Sequence, residues 1–304
     1  MRRSLAGTWK WINFTVKGPK RQVSNTVKLY DRVAFRMSAM VTRTYSTSFS
    51  LAVRMLPSEQ RLAIYSIYGF VRFADEIVDT FLESNQKQLL DDFENDLMHA
   101  FDQGISLNPI LHAFVNTVNK YNIPRRHIDA FMKSMQTDLY KHEYKSDAET
   151  MDYIHGSAEV VGLMCLKIFV NGSDSHYTEL ENPAMKLGSA FQKVNFLRDL
   201  KADTEILHRT YFPGLQSDGL HDDLKTKLIA EVEEEFREAR KGISKLPGRS
   251  RLAVLVAYLY YTRLLEKLKK TPAEKIMNQR IRVNNARKLT LLFNAMIIYK
   301  FRLN

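Results

Sequence analysis

The scarcity of helix-breaking residues is the feature that most restricts how this chain can fold. Only 12 Gly and 8 Pro occur among 304 residues. The long stretches between them are rich in Leu, Ala, Lys, Glu, Met and Phe, which favour helices over strands. The chain is longer than the commonest domain size, but no segment has the composition of a linker. We therefore expect a single all-α domain.

Turn-forming residues divide the chain into successive helices. Cap-type residues in YSTSF (45–49) interrupt the first helix, and Pro57, followed by Ser58 as N-cap, marks the start of the next. Later breaks are marked by NP, NIP, NGSD, PGLQSDG and LPG sequences. The expected helices are 29–44, 59–83, 86–103, 109–120, 125–143, 149–170, 177–208, 221–244, 249–269 and 272–299.

The positive charge is concentrated at the two ends of the chain. The net charge is +11, and residues 1–50 and 263–304 each carry +9, which leaves −7 in between. Basic ends suit an anionic membrane surface, nucleic acid or a phosphorylated substrate, and they also occur as solvated tails. Because no nucleic-acid-reading motif accompanies the charge, we do not expect nucleic acid as a partner.

Further features indicate where the chain acts. The single cysteine, Cys165, excludes an intramolecular disulfide and agrees with a reducing cytoplasm. The longest apolar runs fall short of the roughly 20 residues that span a bilayer, and the basic N-terminus lacks the apolar stretch of a secretory signal. We expect a cytoplasmic protein that can attach peripherally to the inner face of the cell membrane. We expect residues 1–28 to form a basic N-terminal extension and residues 29–304 to form the domain.

One predicted helix carries two acids on a polar stripe. In IYGFVRFADEIVDT (67–80) the two aspartates are four residues apart, and a tyrosine and an arginine fall on the same helical face. Apolar residues flank the stripe, which is expected to face an apolar interior, where acids without a partner are informative. The stripe consists of Tyr68, Arg72, Asp75 and Asp79.

A second predicted helix, within 187–205, repeats this arrangement. Its polar residues share one face, and they are Gln192, Asn195, Asp199 and Asp203. An isolated Asp-x-x-x-Asp pair is common on solvated helices, but two such pairs in apolar sequence indicate a site. Mg²⁺ prefers oxygen ligands and binds through one or two carboxylates while substrate phosphates complete its shell. Two facing pairs would therefore hold Mg²⁺ on a diphosphate.

Other cofactors are disfavoured by the same sequence. No His or Cys lies at ligand spacing near either aspartate pair, which disfavours zinc. The sequence has neither a P-loop nor a Gly-rich dinucleotide turn, so neither nucleotide hydrolysis nor a Rossmann-bound cofactor is indicated. A diphosphate leaving group agrees better with these residues.

Four segments resemble the squalene/phytoene synthase family, over roughly residues 29–300. LGSAFQKVNFLRDLKADTEILHRTYFP (187–213) is similar to the family's second signature throughout, and YGFVRFADEIVDT to its first aspartate-rich motif. TYSTSFSLAVRMLP (44–57) is similar to the Ser-x-Ser-Phe segment. YIHGSAEVVGLMCLKI (153–168) is similar to an earlier signature, although Ile154 and Glu159 depart from it. Together the segments are most similar to bacterial carotenoid phytoene synthases.

The resemblance implies a single-domain isoprenoid synthase, built as a helical bundle around a central cavity. It implies that Mg²⁺, with Mn²⁺ as a substitute, is held by Asp75, Asp79, Asn195, Asp199 and Asp203. It implies that the substrate diphosphate is held by Ser46, Ser48, Arg72, Gln192, Asn195 and Arg198. Tyr68 and Arg72 would join the four aspartates as catalytic residues. Helix capping is a second explanation for both serines, and the two roles can coexist.

The implied reaction is the head-to-head condensation of two geranylgeranyl diphosphates, through a cyclopropyl (prephytoene) diphosphate, to phytoene in carotenoid biosynthesis. No NADPH is expected. Squalene or dehydrosqualene synthesis from farnesyl diphosphate stays open, because the residues do not reveal where the substrate tunnel ends. A non-catalytic assembly factor of the same fold is the alternative of another class, although all four aspartates are present.

Small residues are candidates for the floor of the substrate tunnel. Their low bulk would leave room for a C20 chain, but close packing between helices explains them equally well. They are Ala34, Ala39, Ala130, Gly156, Ala158 and Gly162.

Overall fold

The computed structural model describes residues 25–215 and 219–301. Within these ranges the chain forms helices joined by loops, and one isolated bridge, between Glu143 and Thr210, is the only β pairing. The all-α prediction is confirmed. The helices are α1 (Asn25–Tyr45), α2 (Thr47–Val53), α3 (Ser58–Asp79), α4 (Gln86–Gln103), α5 (Pro109–Tyr121), α6 (Arg125–Asp138), α7 (Asp147–Ile154), a π-helical turn (His155–Glu159), α8 (Val160–Phe169), α9 (Asp174–Glu205), α10 (Asp222–Ile243), α11 (Gly248–Lys270), α12 (Ala273–Asn278) and α13 (Asn285–Phe301).

The start of the chain differs from the prediction in two places. The first helix begins at Asn25, so residues 25–28 of the predicted extension are helical, and the rest of that extension lies outside the described residues. Ser58 was expected to cap α3, but it is the first residue of that helix. Pro57 takes the capping position, where its fixed φ is compatible with helix entry and where no side chain caps the helix.

Two helices end earlier than predicted, and the same arginine contacts both ends. We expected α3 to reach residue 83 and α6 to reach residue 143, but they end at Asp79 and Asp138. The Arg209 guanidinium donates hydrogen bonds to the carbonyls of Val78 and Asp138, each at 3.0 Å. Carbonyls in the last turn of a helix have no partner within it, so a cation here stabilises both ends.

The predicted helix over 272–299 is in fact two helices. Residues 279–284 between α12 and α13 are extended, and Ile281 and Val283 are buried while Arg280, Arg282 and Asn284 are exposed. This alternation with a period of two buries apolar residues on one side of an extended segment. Tertiary packing therefore overrides a sequence that is locally compatible with a helix.

The hydrophobic core has two large parts and two smaller ones, and α8 and the π-helical turn contact helices of both large parts. The first part is formed mainly by α3, α4, α5, α6 and α8, and includes Phe70 stacked on Phe114 with centroids 3.9 Å apart. The second is formed mainly by α9, α10, α11 and α12, and includes Phe196 stacked on Tyr211 at 4.0 Å. Helices α3 and α9 make few direct contacts with each other. We call the space between these two helices the cleft, and Asp79 of α3 and Asp203 of α9 interact electrostatically across it.

The glycines among the predicted tunnel-floor residues serve close helix packing. A Cβ on Gly156 would lie 1.9 Å from Ser134 Oγ and 2.8 Å from the Ala130 carbonyl oxygen, and one on Gly162 would lie 3.2 Å from the Ala184 carbonyl oxygen. Distances below 3.0 Å cannot be accommodated without movement of the backbone. Here the packing alternative accounts for the small side chains.

Candidate active site

The polar stripe of α3 lies on one half-buried face. Burial raises the pKa of Asp75 to about 7, and the neighbouring Asp79 carboxylate raises it further than Arg72 lowers it. The Arg72 guanidinium pairs with the Glu76 carboxylate and lies 4.4 Å from the centroid of the Tyr45 ring. Asp75 is therefore a carboxylate in apolar surroundings beside a second acid.

Tyr68 connects this stripe to the serine segment. Its ring stacks on Phe49, with centroids 5.0 Å apart. Burial raises the pKa of Tyr68 to about 12, and nearby Arg72 and a hydrogen bond with Ser46 oppose this rise. Ser46 Oγ also accepts a hydrogen bond from the Phe49 backbone N–H at 3.2 Å, so it does cap α2. Ser48 lies beside Tyr260 and Lys288.

The polar stripe of α9 is linked by hydrogen bonds. Asn195 Nδ2 donates to Gln192 Oε1 at 3.4 Å, and the Tyr261 hydroxyl donates to Asn195 Oδ1 at 3.1 Å. Further along the helix, Arg198 Nε donates to Asp199 Oδ1 at 2.9 Å. All these side chains are half-buried or buried, so the stripe borders the molecular interior.

The acids of the two helices lie within electrostatic reach of each other. Burial raises the pKa of Asp203 to about 8, and Asp199 on its own helix and Asp79 on α3 raise it further. Since α3 and α9 make few direct contacts, this interaction between carboxylates acts across the cleft. The structure thus brings the two predicted aspartate pairs within electrostatic reach of each other, and Tyr261 of α11 also influences Tyr68 of α3.

A buried acid that the sequence stripes did not reveal lies beside these pairs. Asp138, at the end of α6, accepts a hydrogen bond from the Tyr153 hydroxyl at 2.8 Å. Burial raises its pKa to about 7, although Arg209 lowers it. Arg209 Nη1 lies 2.6 Å from Asp79 Oδ1 and 4.0 Å from Asp138 Oδ1. Asp138 could have been identified from the sequence, because its spacing places it on the same face of α6 as the apolar residues Ile128, Phe131 and Met135.

A second missed residue approaches α9 from the C-terminal part of the chain. Arg280 Nε lies 2.7 Å from Asp199 Oδ1, so this carboxylate is shared by Arg198 and Arg280. Arg282, Arg287 and Lys288 are further basic residues of this part of the chain, and none of them pairs with Asp199. Lys288 instead donates to Thr47 Oγ1 at 3.1 Å. The extended segment places Arg280, and its alternation of apolar and polar residues is the sequence signal that could have identified it.

The residues present fit Mg²⁺. Burial raises the pKa values of Asp75 and Asp203, and repulsion from neighbouring carboxylates raises them further; a divalent cation would remove that repulsion. In the described ranges, no three acidic, histidine or cysteine side chains are close enough to hold an ion alone. This agrees with Mg²⁺, which takes one or two protein carboxylates and leaves the other positions to water and phosphate oxygens.

Known proteins resemble this chain in both sequence and structure. The sequence profile described as squalene/phytoene synthase matches residues 42–287. Phytoene synthase 2, chloroplastic, of Solanum lycopersicum is 29% identical over 253 residues, which cover 77% of this chain and 81% of that protein. Phytoene synthase of Arthrospira platensis is 27% identical over 286 residues, which cover 85% of this chain and 91% of that protein.

Solved structures share the fold. A dehydrosqualene synthase in complex with a ligand has a TM-score of 0.78 at 21% identity, covering 91% of this chain and 99% of that one. Squalene synthase from Alicyclobacillus acidocaldarius has a TM-score of 0.70 at 23% identity, covering 80% of this chain and 95% of that one. The resemblance drawn from the sequence motifs is confirmed. The chain therefore belongs to the squalene/phytoene synthase family, whose members are prenyltransferases that act on isoprenoid diphosphates.

Proposed function

We propose that this protein is a phytoene synthase, which joins two molecules of geranylgeranyl diphosphate head to head without NADPH. The observation that carries this proposal is the electrostatic interaction between the two aspartate pairs, in which Asp79 of α3 acts on Asp203 of α9. The similarity to chloroplast and cyanobacterial phytoene synthases supports the C20 substrate. We propose Mg²⁺ as the cofactor, held by Asp75, Asp79, Asn195, Asp199 and Asp203, with Mn²⁺ as a substitute.

The basic and hydroxyl groups around the cleft would hold the diphosphates. Arg72 and Arg198 supply fixed positive charge next to the aspartates, and Arg280 supplies a third guanidinium. Guanidinium groups bind phosphate oxygens with paired hydrogen bonds. Ser46, Ser48 and Gln192 would add neutral hydrogen bonds. The bound Mg²⁺ would neutralise negative charge on the diphosphate and so make it a better leaving group.

The chemistry then follows from loss of the first diphosphate. The C1–O bond of one substrate breaks, diphosphate leaves with the electron pair, and an allylic cation remains. The C2=C3 double bond of the second substrate attacks this cation, and loss of a proton closes a cyclopropane ring. A second C1–O cleavage, rearrangement and second proton loss give phytoene. The steps require no added electrons, so no reductant is required, whereas squalene formation needs a hydride.

Aromatic side chains protect the cation. Tyr68 stacked on Phe49 borders one side of the cleft, and Tyr261 stacked on Phe191, with centroids 3.9 Å apart, borders the other. Ring faces carry negative potential that stabilises a nearby cation, and their bulk excludes water that would quench it. We propose released diphosphate as the proton acceptor, because high pKa values keep Tyr68 and Tyr261 protonated and unable to act as bases.

Two other functions make different predictions. A squalene or dehydrosqualene synthase would use the same site on C15 substrates, and the squalene product would require NADPH. A non-catalytic assembly factor would not need the aspartates, whereas here Asp75 and Asp203 are held in an arrangement that raises their pKa values. Burying repelling acids is unfavourable unless they have a ligand. Their presence therefore favours an enzyme.

Product analysis tests the proposal. Purified protein is incubated with Mg²⁺ and C20 or C15 diphosphate, with and without NADPH, and the extracted hydrocarbons are identified by mass spectrometry. We expect phytoene from the C20 substrate, with two diphosphates released per product and no effect of NADPH. Chelation of the metal should abolish turnover. Product from the C15 substrate alone would assign the protein to the squalene or dehydrosqualene branch, and no product from either would favour the assembly factor.

We also propose a cytoplasmic protein that attaches to the inner face of the cell membrane. None of the described helices is long and apolar enough to cross a bilayer. The +9 charge at each end of the sequence would attract anionic lipid, with each Lys or Arg near the surface worth about 1 kcal/mol. Such attachment would hold the enzyme where an apolar substrate and product partition.

A further inference from the structure

Helix α13 presents a large apolar face to solvent. On its inner side, Leu291 and Ala295 are buried, and the helix packs on α11. On its outer side, five large apolar residues recur at helical spacing and share one face. They are Leu289 (54% exposed), Phe293 (65%), Met296 (46%), Ile297 (50%) and Phe301 (64%), and we call them the α13 stripe. Contiguous exposed apolar residues of this kind mark an interaction surface.

The charges on α13 and on the segments next to it in sequence are all positive. Residues 279–304 contain six Lys or Arg and no acid. Lys300 lies within the stripe and Arg287 at its edge, and neither forms an ion pair with an acid in the described part of the chain. An apolar helix face with unpaired basic residues has the composition of a helix that lies in the interface of an anionic bilayer.

The same charges disfavour two other occupants. A second copy of the chain would bring an identical basic stripe against this one, and like charges would repel. The segment over residues 1–24 also carries six Lys or Arg and no acid, so it would meet the same repulsion. An anionic lipid surface is complementary to the stripe in both respects, since it offers hydrocarbon and negative charge together.

The stripe also begins beside the candidate active site. Lys288, in the first turn of α13, donates to Thr47 Oγ1 at 3.1 Å, and Leu291 lies beside Ser48. Thr47 lies between the two serines for which we propose diphosphate binding. A bilayer in contact with α13 would therefore adjoin the segment where prenyl substrates are held.

We propose that α13 lies flat in the interface of an anionic bilayer, with the α13 stripe among the acyl chains and Arg287 and Lys300 at the lipid phosphates. The helix is about 25 Å long at 1.5 Å per residue, so it would present a short membrane-facing rod. That this surface serves to deliver apolar substrate rests on the proposed function. That it binds a membrane is inferred only from the exposed residues and charges.

Vesicle binding by substituted full-length protein tests the surface. Phe293→Ser together with Ile297→Ser removes the centre of the stripe and keeps every charge. The matched control is Ile105→Ser with Leu107→Ser, which removes two apolar residues that are 49% and 93% exposed between α4 and α5. Co-sedimentation is measured with vesicles of phosphatidylglycerol and phosphatidylcholine, and with phosphatidylcholine alone.

The two double variants should differ sharply. We expect the stripe variant to bind anionic vesicles roughly tenfold or more less tightly than the unchanged protein, because two partly inserted side chains no longer enter the acyl region. The control variant should bind like the unchanged protein, and binding to phosphatidylcholine alone should be weak for all three. Equal binding by the stripe variant and the unchanged protein would overturn the proposal.

A fluorescent label distinguishes the occupants of the stripe. Ile297→Cys is labelled with an environment-sensitive dye, with Leu107→Cys as the control. Burial raises the pKa of the native Cys165 to about 12, so this thiol reacts slowly near neutral pH. We expect a blue shift at position 297 alone, and only when anionic vesicles are added. A blue shift that instead appears without vesicles as protein concentration rises would assign the stripe to a second copy and overturn the proposal.

Two further outcomes separate this proposal from others. If Trp9→Ala with Trp11→Ala abolishes vesicle binding while the stripe variant keeps it, the N-terminal segment is the membrane contact and the proposal is wrong.

Turnover of detergent-solubilised substrate is measured in parallel. Normal turnover with lost vesicle binding in the stripe variant supports the surface. If the unchanged protein binds vesicles through the stripe but has no turnover in detergent, the surface stands and the proposed function fails.

Discussion

In the proposed function, the chemistry depends on the acidic side chains on the two sides of the cleft. Asp75 and Asp199 belong to different helices, and each would contribute carboxylate oxygens to bound Mg²⁺. Neither makes a contact that the hydrophobic core requires. The roles of these residues can therefore be separated from the stability of the fold.

Asp75→Ala and Asp199→Ala should each lower turnover by at least about 100-fold. This exceeds the ~10–100-fold loss that is typical when a residue that only orients a metal ligand is replaced. The far-UV circular dichroism spectrum should not change. The control is Asp102→Ala, which removes an exposed acid on α4. Near-normal product formation by either site variant would contradict the metal assignment.

Asp75 also makes the stability of the metal-free protein depend on pH. Its pKa rises from 3.8 in the unfolded chain to about 7 in the folded protein, mainly through burial. Between these values the folded state binds more protons than the unfolded state, so this group lowers the free energy of unfolding as pH rises. Above about pH 7 the free energy of unfolding falls no further on account of Asp75. The total decrease is at most about 4 kcal/mol, at ~1.4 kcal/mol per pKa unit.

Asp75→Asn should therefore be more stable than the unchanged protein near pH 8 in a chelator. The gap in melting temperature should close as the pH is lowered toward 4, because the native acid is then neutral in both states. Calorimetry across this range measures the gap, and added Mg²⁺ should raise the melting temperature of the unchanged protein more than that of the variant. A variant that is less stable near pH 8 would show that Asp75 is paired rather than repelled.

At the scale of elements, the extended segment between α12 and α13 brings a further basic residue to the candidate site. It brings Arg280 to within 2.7 Å of Asp199, while the neighbouring Arg282 is exposed and makes no side-chain contact with the site. A charged hydrogen bond contributes about 1.5–3 kcal/mol, which corresponds to roughly 10–150-fold in affinity.

Arg280→Ala should lower kcat/KM by about 10–100-fold, chiefly through a higher KM for the diphosphate substrate. Arg282→Ala, two residues away on the same exposed side of the segment but without a side-chain contact to Asp199, should change kcat/KM by less than about twofold, as expected for a surface position. Steady-state kinetics on the two variants make the comparison. Equal effects would mean that Arg280 acts only through the general positive charge of this region.

The elements also show which parts of the site can be read from sequence. The two stripes were predictable because residues three and four apart share a helix face, so Asp75, Asp79, Asp199 and Asp203 could be assigned to two surfaces. Arg209 could not, because its partners Asp79 and Asp138 are 130 and 71 residues away. Contacts at such separations depend on how helices pack, which local spacing does not encode.

At the scale of the whole molecule, the all-α class followed from the scarcity of helix-breaking residues, and the family followed from four motifs. The small residues expected at the tunnel floor show the limit of this approach. Gly156 and Gly162 allow helices to approach closely, so their size carries no simple information on substrate length. The choice between C20 and C15 substrates depends on the shape of the assembled bundle, which single positions do not reveal.

Substrate length is therefore best settled by competition. A C20 chain has five more carbons than a C15 chain, and their burial is worth up to roughly 4 kcal/mol at ~0.8 per methylene-sized group. Both diphosphates are mixed with the protein and Mg²⁺ in one tube without NADPH, and the ratio of products gives the ratio of kcat/KM directly. We predict at least a tenfold preference for the C20 substrate, with phytoene as the product. A preference for the C15 substrate would contradict the assignment as a phytoene synthase.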